Sequence, residues 1–198
     1  MLLQDTLKNY RLILASASPR RRELLAACDL DFVLAERFEC EEHYPAELAS
    51  DRVAEYLSQL KSKAYPLALA EGDILLTADT VVIAEGEILG KPKDDADAER
   101  MLKMLSGATH KVVTGVTLRT STQTISFSAE SLVAFRTLSE EEIRYYIERY
   151  RPHDKAGAYG IQEWIGYVAI ERIEGSFYNV MGLPVQRLYV ELQRLLSR

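Results

Sequence analysis

Residues Leu12 to Arg22 read LILASASPRRR, and no other stretch restricts the fold as tightly. Leu12 to Ala15 is a short apolar run suited to a buried strand. Ser18 is placed to cap a helix, and Pro19 stands at its first position, where a missing N–H costs nothing. Leu24, Leu25 and Cys28 then point inward. Arg20, Arg21 and Arg22 crowd the first turn, although a helix N-terminus already carries about half a positive charge. Arg20 shares a face with Leu24 and Arg21 with Leu25, so both flank the buried stripe. Two readings are open. Either free N–H groups, the dipole and two guanidinium forks converge on a phosphate at the end of a strand, or the turn is solvated and tethered to a local carboxylate.

Length and charge narrow the setting. A chain of 198 residues can bury a full core, which favours one domain over 1–198, built as two lobes. The net charge of −6 makes the arginine turn a local concentration against an acidic background, which argues against a general binder of nucleic acid or anionic membranes. Cys28 and Cys40 are too few for a disulfide framework and lack metal-ligand spacing. No apolar run reaches membrane-spanning length, and the first residues lack the apolar core of a signal peptide, so the chain reads as cytoplasmic.

After an uninformative lead-in up to Arg11, the pattern alternates between strand and helix periods. A second strand is expected over Asp31–Leu34, then an acidic loop, ERFECEEHYPAEL, in which Glu39, Glu41 and Glu42 either hold a divalent cation or are simply solvated. Ser50 is placed to cap a helix from Asp51 to Tyr65 with Val53, Tyr56, Leu57 and Leu60 on one face and Lys61 and Lys63 near its end. Asp73–Ala78 reads as a central strand, interrupted at Asp79-Thr80 before Val81–Ile83. A carboxylate in so apolar a stretch needs a partner, which marks Asp79 as a site residue rather than a turn residue.

Ala84–Glu87 reads as a hairpin turn, and Gly90-Lys91-Pro92 as a stiff turn presenting one ammonium group. Asp94 or Asp95 caps a helix whose Met101, Leu102 and Leu105 enter the core before Gly107 stops it. His110–Thr120 and Thr124–Arg136 alternate as an antiparallel pair, making the sheet mixed, with His110 as a structural hydrogen-bonder. Ser139 and Glu142 form a capping box for Glu140–Tyr150. In Asp154–Gln162 the small residues allow close backbone approach. Gln162 offers a donor and an acceptor side by side, which suits a nucleobase edge or the closing of its own loop. A strand over Tyr167–Ile173, a loop over Gly175–Gly182 and a helix from Pro184 complete the chain.

The stretches SASPRRRELL, ECEEHYP, ADTVV, GKPKD, LSGATHKVVTGV, DKAGAYGIQ and GSFYNVMGLPV occur in this order over nearly the whole chain. Together they resemble the Maf family of nucleoside triphosphate pyrophosphatases. The resemblance implies an α/β fold with a mixed, elongated central sheet flanked by helices, similar to the inosine triphosphatases, with two lobes around an active-site cleft. It also implies hydrolysis of a nucleoside triphosphate to the monophosphate and pyrophosphate, with Mg²⁺ or Mn²⁺ as the divalent cation. Residue by residue, Ser16, Arg20 and Arg21 match the phosphate motif, Asp79 the catalytic acid that also touches metal, Glu42 the metal-linked acid and Lys91 a phosphate-contacting lysine.

Lys61 matches the lysine motif with Ser58 and Ser62 in place of its usual alanines, and Lys63 is the alternative. In the acidic loop Glu41-Glu42-His43 stands where Asp-Glu-Ser is more usual, and His43 reads as exposed. Arg20, Thr80 and Gln162 resemble the subgroup that takes dTTP and UTP, with modified pyrimidine triphosphates as a variant of that substrate class. A nucleoside triphosphate is therefore the expected partner, without nucleic acid or membrane, and a homodimer is one option for assembly. The alternatives are a pyrophosphatase acting on 7-methyl-GTP or a non-standard purine triphosphate, and a non-catalytic nucleotide sensor regulating septum formation. The presence of Asp79, Lys91 and both arginines counts against the sensor.

Overall fold

Short helices alternate with strands as the hydrophobic periods imply, and residues 2–197 are described in the computed structural model. Residues 1 and 198, the ends of the expected domain, lie outside the described residues. The order is α1 (Leu3–Leu7), β1 (Arg11–Leu14), α2 (Pro19–Ala26), β2 (Val33–Leu34), α3 (Val53–Ala64), β3 (Asp73–Ala84), β4 (Glu87–Leu89) and α4 (Asp95–Leu105). It continues with β5 (Thr109–Arg119), β6 (Thr124–Phe135), α5 (Glu140–Tyr150), α6 (Trp164–Ala169), β7 (Ile170–Glu174), α7 (Phe177–Met181) and α8 (Val185–Leu196). Hydrogen bonds order the strands β2-β1-β3-β5-β6-β7, with β4 beside β3. β1 is parallel to β2 and β3, whereas β4 and β7 run antiparallel to their partners, so the expected mixed α/β sheet is what forms.

The chain divides into two compact units, the first made of Met1–Asp79, Thr114–Ala129 and Gly182–Arg198, the second of Thr80–Val113 and Glu130–Met181. In the first unit Leu12, Ile13 and Leu14 of β1 pair with Ile74, Leu75 and Leu76 of β3, all fully buried. The lead-in is a helix after all: Leu3 and Leu7 of α1 are buried, and the Leu3 N–H donates to the Tyr189 hydroxyl of α8 at 3.3 Å. At one end of β3, Asp73 accepts two bonds from Arg11 at 2.8 Å and one from the Ala70 N–H at 2.9 Å. These bonds hold its carboxyl below the usual range.

The contact between α3 and β5 decides the rest of this unit. A Cβ at Gly115 would lie 2.2–2.3 Å from the backbone of Ala54 and Glu55, so the helix approaches this strand as closely as a glycine allows. The buried face is accordingly Val53, Ala54, Leu57, Ser58 and Ser62, while the expected Tyr56 and Leu60 are only half-buried. Small side chains are needed there, and Ser58 meets the requirement as alanine would. Its hydroxyl donates to the Glu55 carbonyl at 2.7 Å and is 2.8 Å from Thr117 Oγ1.

Other boundaries differ from expectation for identifiable reasons. β3 runs unbroken through Asp79-Thr80, because ladder pairing on the sheet overrides the local polarity of two residues. β2 shrinks to Val33 and Leu34, both exposed at the sheet edge. Ser18 occupies the N-cap of α2 without a side-chain cap bond, its N–H being directed to Ser16 Oγ, and Cys28 falls beyond the helix end. Residues 50–52 form a 3-10 turn ahead of α3, which has no side-chain cap, so Ser50 does not cap it.

In the second unit, Leu89, Met101, Leu102, Leu105, Val133, Phe135, Ile143 and Ile147 form one apolar cluster. Positive φ at Glu85 (50°) and Gly86 (82°) turns β3 into β4 as a two-residue hairpin. Asp94 caps α4 through the Asp97 N–H, and the capping box of α5 forms as expected. Arg136 and that box hold Glu142 down at about 2. The strand expected over Tyr167–Ile173 begins only at Ile170. Ile165 and Ala169, four apart, are buried in α6, and Gly166 packs where a Cβ would sit 1.8 Å from the Ile161 carbonyl. The loop expected before Gly182 contains the short helix α7.

His110 is buried, 2.8 Å from the Tyr159 hydroxyl, and burial lowers its pKa from 6.5 to about 4. A folded value below the unfolded one means stability is intact above 6.5 and falls as pH drops toward 4, by up to about 3 kcal/mol. Denaturant melts over that window should show the decline, and His110→Phe should flatten it. Gly115→Ala should force α3 off β5 and cost about 3 kcal/mol by the same measurement.

Candidate active site

The residues singled out from SASPRRR, the acidic loop and the lysine motif come together with Asp79 in the first unit. β1 ends at Leu14, and the turn before α2 brings Ser16 back to Arg21, whose Nη1 donates to Ser16 Oγ at 3.1 Å. The Arg21 Nε donates to the Gly182 carbonyl at 2.8 Å, so the guanidinium is clamped from two sides. Burial pushes Arg21 below its ordinary pKa, the charge of Asp79 pushes it back up, Arg20 lowers it again and Glu42 raises it. A guanidinium in that field remains a cation. Arg20 is half-buried beside it on the first turn of α2.

Asp79 is held by the unbroken β3, and its carboxylate Oδ1 lies 2.6 Å from Lys61 Nζ. The same ammonium is 3.1 Å from Glu42 Oε2. The Lys61 and Asp79 side chains are 17% and 13% exposed and Glu42 48%, so the acid of the strand is enclosed and the acid of the loop faces water. Burying α3 through Ala54, Ser58 and Ser62 is what turns Lys61 toward this pair. Lys63, two residues on, is exposed on a different face of the helix, so Lys61 is the lysine that meets the acids.

Glu42 and Asp79 both reach the Lys61 ammonium, and two such carboxylates are hard-oxygen donors of the kind Mg²⁺ takes, with its remaining ligands from water and phosphate. The residues present therefore fit such a cation. Among the described residues no group of three or more His, Cys, Asp or Glu side chains is arranged around a metal position, so Glu39 and Glu41 do not join Glu42, and His43 is exposed. Burial and the nearby Glu42 push the Cys40 thiol up, which makes it a poor nucleophile.

Thr80 follows Asp79 on β3 and, with Lys91 and Gln162, belongs to the second unit. Lys91 is exposed in the GKP turn. The Gly157 N–H donates to the Gly90 carbonyl at 3.0 Å, which fastens the AGAYG loop to that turn. Gly157 has φ of 67°, and a Cβ there would lie 2.9 Å from Val82, so the loop also packs closely on β3. Gln162 is half-buried, and its buried Oε1 has no hydrogen-bond partner.

Sequence reasoning missed the groups that brace these segments. Lys155 is buried against Glu163 at 3.0 Å and Asp154 at 2.8 Å, and Glu163 also accepts from the Tyr146 hydroxyl. Asn179, fully buried, donates to the Val112 carbonyl at 3.2 Å and Ser131 Oγ at 3.0 Å, anchoring α7. The available signal was a lone Asn inside an apolar helical turn, which must find partners when buried.

The family model described as Maf-like protein matches residues 11–195. A protein of Porphyromonas gingivalis named dTTP/UTP pyrophosphatase is 56% identical over 191 residues, covering 96% of each chain. One of the same name from Bacteroides thetaiotaomicron is 51% identical over 189 residues, covering 96% of this chain and 98% of its own. The chain belongs to the Maf family. A solved HAM1 protein from Coxiella burnetii superposes with a TM-score of 0.48 at 14% identity, covering 93% of this Maf chain and 99% of that one.

The double clamp on Arg21 in this Maf protein needs a planar fork, since one donor must reach Gly182 while another reaches Ser16. Arg21→Lys should leave a buried carbonyl unpaired and lower stability by about 1–3 kcal/mol in chemical denaturation.

Proposed function

We propose that this chain is a nucleoside triphosphate pyrophosphatase that hydrolyses dTTP and UTP to the nucleoside monophosphate and pyrophosphate. The observation that carries this reading is the meeting of Glu42 and Asp79 at the Lys61 ammonium, within the field of the clamped Arg21. It occurs in a chain 45–56% identical to relatives named dTTP/UTP pyrophosphatase.

The chemistry asks for water attack at the α-phosphorus with pyrophosphate leaving, and demands charge neutralisation more than covalent help. Mg²⁺ or Mn²⁺ held by Glu42 and Asp79 would supply a water of lowered pKa and neutralise phosphate charge. A carboxylate is a feeble base toward bulk water, so the role of Asp79 would be to orient the attacking water and accept its proton. Enclosure in β3 fixes its direction. Arg21, already immobilised by Gly182 and Ser16, meets the triphosphate without further loss of side-chain freedom. Ser16 keeps its own hydroxyl proton for a phosphate oxygen, because it acts only as acceptor toward Arg21 and the Ser18 N–H. Lys61 and Arg20 add positive charge.

Thr80, Lys91 and Gln162 are assigned to substrate on the family resemblance, Lys91 to a phosphate and Gln162 to the base. The unpartnered Oε1 of Gln162 supports the latter, since uracil and thymine present an N3–H donor beside the O4 acceptor, the complement of a glutamine amide. The reading places the protein with the nucleotide pool of the cytoplasm, and no described helix is long and apolar enough to cross a membrane.

Pyrophosphate release from dTTP, UTP, CTP, 7-methyl-GTP and ITP with Mg²⁺ or Mn²⁺ tests this. Turnover should be confined to dTTP and UTP, and Asp79→Asn should lower it by about 10²–10⁴-fold. Near-full turnover by the variant would refute the role of Asp79, and a preference for 7-methyl-GTP or ITP would refute the substrate assignment. Gln162→Ala should raise KM for UTP with a smaller effect on kcat.

A further inference from the structure

Lys61 itself stands on the place that the acid pair offers to a cation. Its Nζ is 2.6 Å from Asp79 Oδ1 and 3.1 Å from Glu42 Oε2, and all three residues belong to the first unit. One ammonium thus bridges the acid of the strand and the acid of the loop. A divalent cation bound by the same two oxygens competes for the place of Nζ, because like charges at such separations repel and the ammonium already cancels half of the charge that two carboxylates present.

Burial decides how this competition runs. The Asp79 and Lys61 side chains are 13% and 17% exposed, so neither charge has free access to water. An enclosed carboxylate without a partner carries a desolvation cost, which Lys61 offsets. If a divalent cation takes over both carboxylates, the same cost passes to the ammonium, which has lost both partners. A cation arriving alone satisfies the acids and strands the lysine. Arriving with a triphosphate, it brings oxygens that give the ammonium new acceptors.

The two ends of the bridge are built for such an exchange. Lys61 lies in the last turn of α3, whose register on β5 is fixed at Gly115 and by the bond between Ser58 and Thr117. The backbone is held there, while the four-carbon stem of a lysine rotates freely. Glu42 is lightly anchored by comparison. Residues 41–47 are all exposed, and the backbone bonds of this stretch are local, from the His43 N–H to the Glu41 carbonyl at 3.2 Å and from the Leu48 N–H to the Pro45 carbonyl at 3.1 Å. Phe38, edge-on to Tyr65 with ring centroids 5.6 Å apart, pins the start of the loop, and the ion pair with Lys61 brings Glu42 to Asp79.

We propose that Lys61 is a displaceable internal counter-cation: its ammonium holds the place between Glu42 and Asp79 and yields it when phosphate oxygens take the ammonium over, so that divalent cation and nucleotide bind together. This rests on the activity proposed above and adds to it a role for Lys61 in coupling the two ligands. The test is a pair of binding measurements without turnover. Mn²⁺ alone, followed by electron paramagnetic resonance, should bind Lys61→Met and Lys61→Gln about tenfold or more tightly than the unaltered chain. Lys61→Arg keeps the charge and should bind Mn²⁺ no more tightly than the unaltered chain. The Mg²⁺ complex of α,β-imido-dTTP, which resists hydrolysis, should bind Lys61→Met and Lys61→Gln about tenfold or more weakly by calorimetry. The opposite signs are the signature, since a merely structural loss would weaken both ligands. The exchange is refuted if the neutral variants bind Mn²⁺ no more tightly, if Lys61→Arg gains as much as they do, or if their affinity for the nucleotide complex is undiminished. Glu42→Gln and Asp79→Asn separate this failure from that of the underlying reading. Weakened Mn²⁺ binding in both, beside no gain in Lys61→Met, refutes the exchange alone, whereas unchanged Mn²⁺ affinity in both refutes the acid pair and the exchange with it.

Discussion

Gly115 is the point at which α3 comes to rest on the sheet, and the positions of the charged groups follow from that contact. With no side chain on the strand, the helix sits close enough for Ala54, Ser58 and Ser62 to form its inner face. Helical geometry then turns Lys61 to one side and Lys63 to another. A bulkier residue at 115 would lift the helix and with it the ammonium that joins Glu42 to Asp79. Backbone packing and site electrostatics are one constraint here.

The second determinant is the way buried charge is offset. The enclosed Asp79 carboxylate is paired with the Lys61 ammonium, and the charges of Asp79 and Glu42 oppose the effect of burial on Arg21. Each group stabilises the charge state of another. Removing any one leaves a neighbour uncompensated, which explains why cations and anions alternate so closely in a chain whose net charge is −6. Such an arrangement suits an anionic ligand that arrives with its own counter-cation.

Much of this was readable from residue order. The strand-to-helix turn at Leu12–Arg22, the cap at Ser139, a cap at Asp94 or Asp95, the core face of α4 and the structural role of His110 all follow from local chemistry, and local chemistry is what a sequence displays. Asp79 stood out because a carboxylate among β-branched residues requires a partner. What escaped notice depends on distant pairing. Arg11 meets Asp73 across 62 positions and Asn179 meets Val112 across 67, with no nearby signal for either. The break expected at Asp79-Thr80 was wrong for the same reason, since neighbouring strands supply the continuity. Tyr167–Ala169, read as the start of a strand, are instead the end of α6, and the packing of Gly166 against the Ile161 carbonyl is invisible without the fold. The serines at 58 and 62 looked like departures from a motif until the packing showed that smallness was the requirement.

The central claim is that Glu42 and Asp79 act as one cation-binding unit. Mn²⁺ affinity measured by electron paramagnetic resonance on the unaltered chain, Glu42→Gln, Asp79→Asn and the double variant tests it without reference to turnover. Both single variants should weaken Mn²⁺ binding, and the double variant should lose much less than the sum of the two, as groups serving one ion do. Unchanged Mn²⁺ affinity in both single variants would contradict the account.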